Sequence, residues 1–91
     1  MAYNTVTVTT AATEIVGAEP NRKALMLCNT EAAVLVYIGP DASVTTANGM
    51  PLYEFQHKEF TKNTPGYWSG PVYGIAASAT ADVRYWEVVG R

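Results

Sequence analysis

The chain has 91 residues, a formal net charge of −2 and only 15% charged residues, compared with about 25% in a typical soluble domain. This length fits a single domain, and the six basic residues form no stripe that could neutralise the phosphates of a nucleic acid. The longest apolar runs fall short of the roughly 20 residues that cross a bilayer, and the N-terminus lacks the pattern of a signal peptide. We therefore expect one domain, residues 1–91, that is made in the cytoplasm and binds neither nucleic acid nor a membrane.

Short strands begin close to the N-terminus. Threonine and valine alternate over residues 5–9, which predicts a strand with Val6 and Val8 facing inward. Residues 1–4, before this strand, are expected to form a flexible arm. Residues 14–16 are predicted as a second strand, and a proline and an asparagine in the following loop are typical of turns.

The next two predicted strands, Arg22–Asn29 and residues 33–38, are apolar on both faces and are joined by a short polar turn. In the first of them Ala24, Met26 and Cys28 share one face, while two leucines occupy the other. A sheet with one face in water normally alternates polar and apolar residues. We therefore expect a second sheet to cover one face and a neighbouring molecule to cover the other, with Cys28 as a small buried hydrophobe.

Turn signals divide the following segment at short intervals. Residues 43–46 are predicted as a short edge strand that ends at Asn48-Gly49, a strong hairpin signal because both residues accept positive φ. A further strand is predicted over residues 50–55, and it is followed by a polar bend over residues 56–59 and then by a long loop.

The last two predicted strands, residues 72–77 and Ala81–Val89, are expected to form a hairpin about residues 78–80. No window of the sequence has a convincing helical period. Seven to eight short strands at regular spacing predict an all-β fold, either an antiparallel β-sandwich or a jelly-roll-like barrel.

The sequence offers few groups for catalysis. It has one histidine, His57, and one cysteine, Cys28, and its acidic residues are dispersed without the spacing of a metal-binding loop. His57 is predicted to be a solvated loop residue, and Cys28 lacks the electropositive neighbours that favour a thiolate. We therefore expect no catalytic, cofactor-binding or metal-binding residues, no cofactor and no enzymatic activity.

Aromatic residues are concentrated in the last third of the chain. Tyr73 and Tyr85 alternate with smaller residues and are predicted to fill the core. Trp68 lies in a loop rich in proline and glycine, so that a core role and a role as an exposed anchor for a partner both remain open. Arg84 and Trp86 are expected to share one face of the last strand.

Four segments occur in an order that resembles small β-sandwich virion proteins of tailed bacteriophages, of the head-decoration or fibre-associated type. They are residues 21–30 (NRKALMLCNT), residues 36–39 (VYIG), residues 44–52 (VTTANGMPL) and residues 70–76 (GPVYGIA). The resemblance covers about residues 5–84. Between Leu52 and Trp68 the chain departs from the compact proline–glycine turn expected in relatives, which indicates a contact surface particular to this protein.

The resemblance implies a structural protein of the virion, assembled in the host cytoplasm. The expected role is a capsid decoration or cement protein that binds the major capsid protein, or another virion protein, and stabilises the assembled head. A homo-oligomer is expected, and a trimer would suit a three-fold site. The alternatives are a receptor- or carbohydrate-binding module of a head or tail fibre, and a connector subunit of the neck or tail. The residues expected to contact a partner are Tyr3, Tyr53, Phe55, His57, Phe60, Tyr67 and Trp68.

Overall fold

The computed structural model describes the backbone of residues 2–90 and the side chains of residues 4–90, and within these limits the chain forms eight strands. They are β1 (Ala2–Val8), β2 (Thr13–Val16), β3 (Arg22–Asn29), β4 (Val36–Gly39), β5 (Met50–Leu52), β6 (His57–Thr61), β7 (Val72–Ala76) and β8 (Ala81–Val89). Sheet A has the strand order β1-β8-β3-β6, and sheet B has the order β2-β7-β4-β5. All pairs are antiparallel, so the predicted all-β sandwich is confirmed. Residues 2–90 contain no helix long and apolar enough to cross a membrane.

The strand pairs are nested in the sequence. β4 pairs with β5, β3 with β6, β2 with β7 and β1 with β8, so the chain resembles one long hairpin rolled around the core. Every connection except β4–β5 passes from one sheet to the other. The β3–β8 and β4–β7 pairs complete the two sheets. Eight strands arranged in this way have jelly-roll topology.

Alternate side chains of the strands point between the sheets and form one core. Leu25 and Leu27 enter it from sheet A, and Val36 enters it from sheet B. Gly74 lies in the middle of β7, where an added Cβ would lie 2.8 Å from Ile15 Cδ1. The missing side chain therefore leaves the space that this isoleucine fills.

The first strand begins earlier than the sequence predicts. Its backbone pairs with β8 from Ala2 onward, with Ala2 opposite Glu87 and Asn4 opposite Tyr85. From residue 2 the expected flexible arm is therefore strand, because β8 is long enough to supply hydrogen-bond partners along all of β1. Met1 lies outside the described residues.

The hairpin predicted for the last two strands does not form. β7 lies in sheet B and β8 lies in sheet A, so the turn at residues 78–80 carries the chain across the sandwich. The connection from β3 to β4 crosses between the sheets in the same way. Crossing allows two consecutive apolar strands to bury their inner faces against each other.

The segment between β4 and β5 is a loop rather than the predicted edge strand. Val44 is buried within it, and Asn48 Oδ1 accepts a hydrogen bond from the Thr45 amide (2.7 Å). Neither Asn48 nor Gly49 has a positive φ. A Cβ added at Gly49 would lie 2.6 Å from Tyr37 Cβ, so close approach, and not turn conformation, requires this glycine.

The predicted polar bend over residues 56–59 is also wrong, because most of it belongs to β6. β5 ends at Leu52, three residues before the predicted end of that strand, and β6 begins at His57 and pairs with β3. β6 is an edge strand whose outer side faces solvent, so polar residues are compatible with a strand here.

Candidate functional site

The structure divides the predicted contact residues into two groups. One group lies around the start of β6 and contains Tyr53, Phe55 and His57; the other follows from the end of β6 and contains Phe60, Tyr67 and Trp68. The side chain of Tyr3 lies outside the described residues. We call the two ends of the sandwich the Arg22 end and the Asn29 end, after the first and last residues of β3. Phe60, Tyr67 and Trp68 lie at the Arg22 end.

The Arg22 end is built around a buried ion pair. Arg22 is fully buried, and its Nε donates a hydrogen bond to Glu87 Oε2 at 2.7 Å. Its terminal nitrogens donate to the backbone oxygens of Trp68 (3.1 Å), Gly70 (2.9 Å) and Gly17 (2.8 Å). One arginine thus fixes the loop before β7 and the loop after β2 to strand β8.

Further contacts hold the aromatic side chains of the loop before β7. Trp68 Nε1 donates to the backbone oxygen of Pro71 (2.7 Å), and the indole lies so close to Gly70 that an added Cβ would overlap Trp68 Cζ2. The Tyr67 hydroxyl donates to the backbone oxygen of Arg22. Trp68 is therefore fixed by its own loop while part of its surface remains exposed.

These aromatic residues line an open groove of about 510 Å³ at the Arg22 end. Its apolar wall includes Phe60 of sheet A and Met50 of sheet B, so both sheets contribute to it. Asp41 and Asn48 lie on the polar side of the groove. The groove therefore combines aromatic surface with carboxylate and amide groups.

Asp41 is held in place by its neighbour Ser43. One carboxylate oxygen accepts hydrogen bonds from the Ser43 amide (2.9 Å) and from the Ser43 hydroxyl. The side-chain bond and then the backbone bond lower the pKa of Asp41 from its usual value of 3.8. The groove thus keeps a negative charge to more acidic pH than an unpartnered aspartate would.

The Asn29 end is fixed by a neutral amide. Asn29 is fully buried, and its Nδ2 donates to the backbone oxygens of Val34 (2.8 Å) and Leu52 (3.0 Å). Its Oδ1 accepts from the Glu31 amide (3.0 Å). This side chain therefore connects the β3–β4 loop with the end of β5.

The loop between β5 and β6 presents two aromatic side chains at this end. Tyr53 and Phe55 are 58% and 64% exposed, and the Phe55 amide donates to the backbone oxygen of Asn29 (2.6 Å). Phe55 has a φ of 59°, a conformation that bulky residues rarely adopt. The loop thus holds a large apolar side chain in solvent at a backbone position that does not favour it.

His57 is solvated, as the sequence predicts, but it lies on a strand. Its Nε2 is 3.9 Å from Glu59 Oε2, and both side chains are more than half exposed. Residues 2–90 contain no group of three or more histidine, cysteine, aspartate or glutamate side chains that could hold a metal ion.

A further exposed surface lies on the outer face of sheet A, the face directed away from the core. Trp86 and Met26 are opposite each other in the β8–β3 register and are 52% and 41% exposed. Ala24 and Val88 adjoin them around a shallow depression of about 260 Å³, which Glu59 and Thr61 line on the side of β6. The centre of this face is therefore apolar.

Sequence reasoning located part of this face but did not select Trp86 as a contact residue. It placed Ala24, Met26 and Cys28 together, away from the leucines, and this is the arrangement in β3. Cys28 is half-buried rather than buried, because no other element described in the structure covers the outer face of sheet A. The burial of Val83 and Glu87 on the alternate positions of β8 is the pattern that directs Trp86 outward.

The two tyrosines predicted to fill the core differ in position. Tyr85 packs against the core as expected. Tyr73 does not: it lies on the outer face of sheet B, where its hydroxyl donates to Glu14 Oε2 at 3.3 Å, because the buried positions of β7 are the alternate ones. The negative charge of Glu14 raises the pKa of Tyr73 above its usual value.

No protein-family model, curated protein or solved structure matches this chain.

Proposed function

We propose that this protein is a structural component of a tailed-bacteriophage virion, a decoration or cement subunit that binds the outside of the assembled head. Its partner is the major capsid protein or another virion protein, and its place is the virion, assembled in the host cytoplasm. The resemblance of the four segments to small β-sandwich virion proteins supports this proposal. Two of those segments contain Arg22, Asn29 and Gly70, which fix the two ends of the sandwich.

The observation that carries the proposal is the apolar centre of the outer face of sheet A. Trp86 and Met26 stand in the middle of a regular sheet surface, where a side chain in permanent contact with water is normally polar. Tryptophan and methionine are enriched at the cores of protein interfaces, and charged residues are depleted there. The low charge of the whole chain, 15%, is in keeping with a subunit that docks on a larger assembly.

Stabilisation of the head would follow from mass action. A subunit that binds the assembled lattice and not its free components lowers the free energy of the lattice by RT ln(1 + [L]/Kd) at each occupied site. This role needs contact area and no reacting group, so we propose a binding function and no enzymatic one.

The experiment uses particles of the phage whose genome encodes the chain. Mass spectrometry of purified particles should find the chain, and purified protein should co-sediment with particles that lack it. The variant Trp86→Ser should weaken co-sedimentation at least about tenfold, as expected for a central interface residue, while its thermal unfolding stays close to that of the parent.

A matched variant tells which surface docks. Tyr53→Ser also removes an aromatic side chain that is more than half exposed, but from the loop at the Asn29 end, and it should leave co-sedimentation unchanged. Loss of binding in Tyr53→Ser and not in Trp86→Ser would show that the docking surface is this loop and not the outer face of sheet A. Particles that neither contain nor bind the chain would refute the proposal.

The groove at the Arg22 end favours a second candidate, a carbohydrate-binding module of a fibre. Trp68 and Tyr67 offer aromatic surface on which a sugar ring can stack, and Asp41 and Asn48 offer hydrogen-bonding groups beside it. Titration with a glycan array should then give binding that Trp68→Ala removes and Trp86→Ser leaves intact. A cement protein should bind no glycan in the same assay.

A further inference from the structure

The sandwich has four sheet edges, and three of them are protected against pairing with another strand. β6 carries His57, Lys58 and Glu59, β5 has only three residues and contains Pro51, and β2 is short and has an irregularity between Glu14 and Val16. Charges, proline, short length and bulges are the usual means by which natural proteins block an open edge.

The fourth edge, β1, has none of these protections. Its seven residues, AYNTVTV, include no charged residue and no proline, and they pair with β8 in one continuous register without a bulge. β1 ends the strand order of sheet A. Among the described strands, β1 is thus the longest whose edge is open to water.

The hydrogen bonds show which backbone groups of β1 face this open edge. The Thr30 amide donates to the Asp82 oxygen (3.0 Å), so Asp82 directs its backbone groups toward β3. Neighbouring residues of a strand alternate in this direction, and Val83 therefore faces β1, where it is opposite Val6. Along β1 the odd-numbered residues, Thr5 among them, then face outward.

A side-chain contact agrees with this assignment. The Thr5 amide donates to Asn4 Oδ1 at 2.8 Å and not to β8. The donor is therefore satisfied only by an exposed neighbouring side chain, which can release it to a better-placed backbone acceptor.

We propose that a second copy of this chain adds its β1 strand, antiparallel, to the open edge of β1. If the two-fold axis passes at Thr5, the centre of Ala2–Val8, all seven residues of one strand lie opposite residues of the other. Thr5 then lies opposite Thr5 of the partner subunit, in a pair that exchanges two backbone hydrogen bonds. Such an interface is isologous and closes as a dimer, in place of the trimer expected for a three-fold site.

The dimer extends sheet A to a continuous sheet of eight strands. Three strand spacings of ~4.8 Å separate the two β8 strands. Trp86 is opposite Tyr3, two residues from the axis at Thr5, so the two Trp86 positions are also offset along the strands by four residues of ~3.4 Å and lie roughly 20 Å apart on one surface. This consequence rests on the proposed function: two docking faces on one rigid dimer would bind a repeating lattice more tightly than either alone. The dimer itself does not depend on that function.

The test is the variant Thr5→Pro, compared with Thr61→Pro. Proline is tolerated in an edge strand where its nitrogen faces solvent, and the Thr5 amide makes no bond to β8, so the fold of one subunit should survive. Thr61 is its counterpart on the β6 edge: the Lys62 amide donates to the Lys23 oxygen (2.9 Å), so the Thr61 amide faces away from β3.

Light scattering and sedimentation should give the parent chain and Thr61→Pro twice the mass of the 9.8 kDa subunit, and Thr5→Pro the mass of one. In the parent chain the Thr7 amide, which faces the open edge, should exchange slowly with solvent and faster on dilution. This second measurement decides the question if Thr5→Pro does not fold. A monomeric parent chain, or a Thr5→Pro variant with the parent's mass, would overturn the proposal. Particle binding is assayed separately, so either proposal can fail without the other.

Discussion

The two ends of β3 are fixed by different chemistry. At the Arg22 end a fully buried guanidinium pairs with Glu87 and donates to three backbone oxygens. At the Asn29 end a neutral amide joins the β3–β4 loop to the end of β5 through three hydrogen bonds. Both residues replace missing β-sheet hydrogen bonds where loops enter the interior. A small sandwich can therefore close its ends either with charge or without it, and loss of the side chain should destabilise the charged end more.

Removal of the buried arginine should have the largest effect on stability. Arg22→Ala leaves Glu87 buried without its partner, and we expect it to lower the free energy of unfolding by about 3–5 kcal/mol. Urea denaturation measures this change. The adjacent, exposed Lys23 provides the control Lys23→Ala, expected to stay within about 0.5 kcal/mol. A loss below about 1 kcal/mol in Arg22→Ala would show that the ion pair does not hold this end.

Removal of the buried amide of Asn29 should lower the free energy of unfolding by less. Asn29→Ala leaves the carbonyls of Val34 and Leu52 and the amide of Glu31 without their partner, at an expected cost of about 2–3 kcal/mol. The same urea experiment applies, with Asn21→Ala as the control because Asn21 is exposed. The ranking of the two ends is reversed if Asn29→Ala destabilises more than Arg22→Ala.

A smaller change tests how tightly the Arg22 end is packed. Gly70→Ala places a methyl group where Trp68 now lies, so the indole must move and lose its bond to Pro71. We expect a loss of about 1–2 kcal/mol and a shift of tryptophan fluorescence toward longer wavelength as the ring enters water. Gly17→Ala is the control, because a Cβ added at Gly17 would meet only one atom, at 4.0 Å. Gly66→Ala is unsuitable as a control, because Gly66 has a φ of 83° and an alanine there would be strained whatever the space. An unchanged spectrum would mean that Trp68 is not held over Gly70.

The smallest effect is a dependence of stability on pH, which comes from the Asp41 carboxylate in the groove at the Arg22 end. Hydrogen bonds from Ser43 lower the pKa of Asp41 in the folded chain below the usual 3.8. This contribution to stability is present above pH 3.8 and is lost as the pH falls through the lowered pKa. Asp41→Asn should therefore be slightly less stable than the parent at neutral pH, and the gap should close in acid. Glu59→Gln, which removes one exposed charge, is the control; equal pH profiles for both variants would contradict the assignment.

The sequence predicted best the strands whose apolar pattern is long. β3 and β8 begin and end where the pattern places them, because each has a distinct apolar stretch, ALMLC in β3 and the valines and aromatic residues of β8, bounded by residues typical of turns. β6 was missed because an edge strand of five residues with water on two sides has no apolar signal. Short polar turns do not record whether the next strand stays in the same sheet, so the crossings at β3–β4 and β7–β8 could not be read from local sequence.

The candidate surfaces show the same limit. The alternation of side chains along a strand was enough to place Met26 on the face of β3 that does not hold the leucines, and Trp86 on the same face of β8 as Arg84. It could not decide which face of β7 holds Tyr73, since tyrosine fits both a core and a wet surface. The contacts of Arg22 join residues that are distant in the chain, and no spacing rule indicates such partners.

The nested strand order also bears on how the protein is made. Of the eight described strands β1 is synthesised first, yet its partner among them is β8, which is synthesised last of the eight. Until residues 81–89 emerge, sheet A lacks the strand that joins β1 to β3. A nascent chain therefore cannot complete this sheet until β8 has been synthesised, and until then β1 lacks the strand with which it pairs in the folded protein.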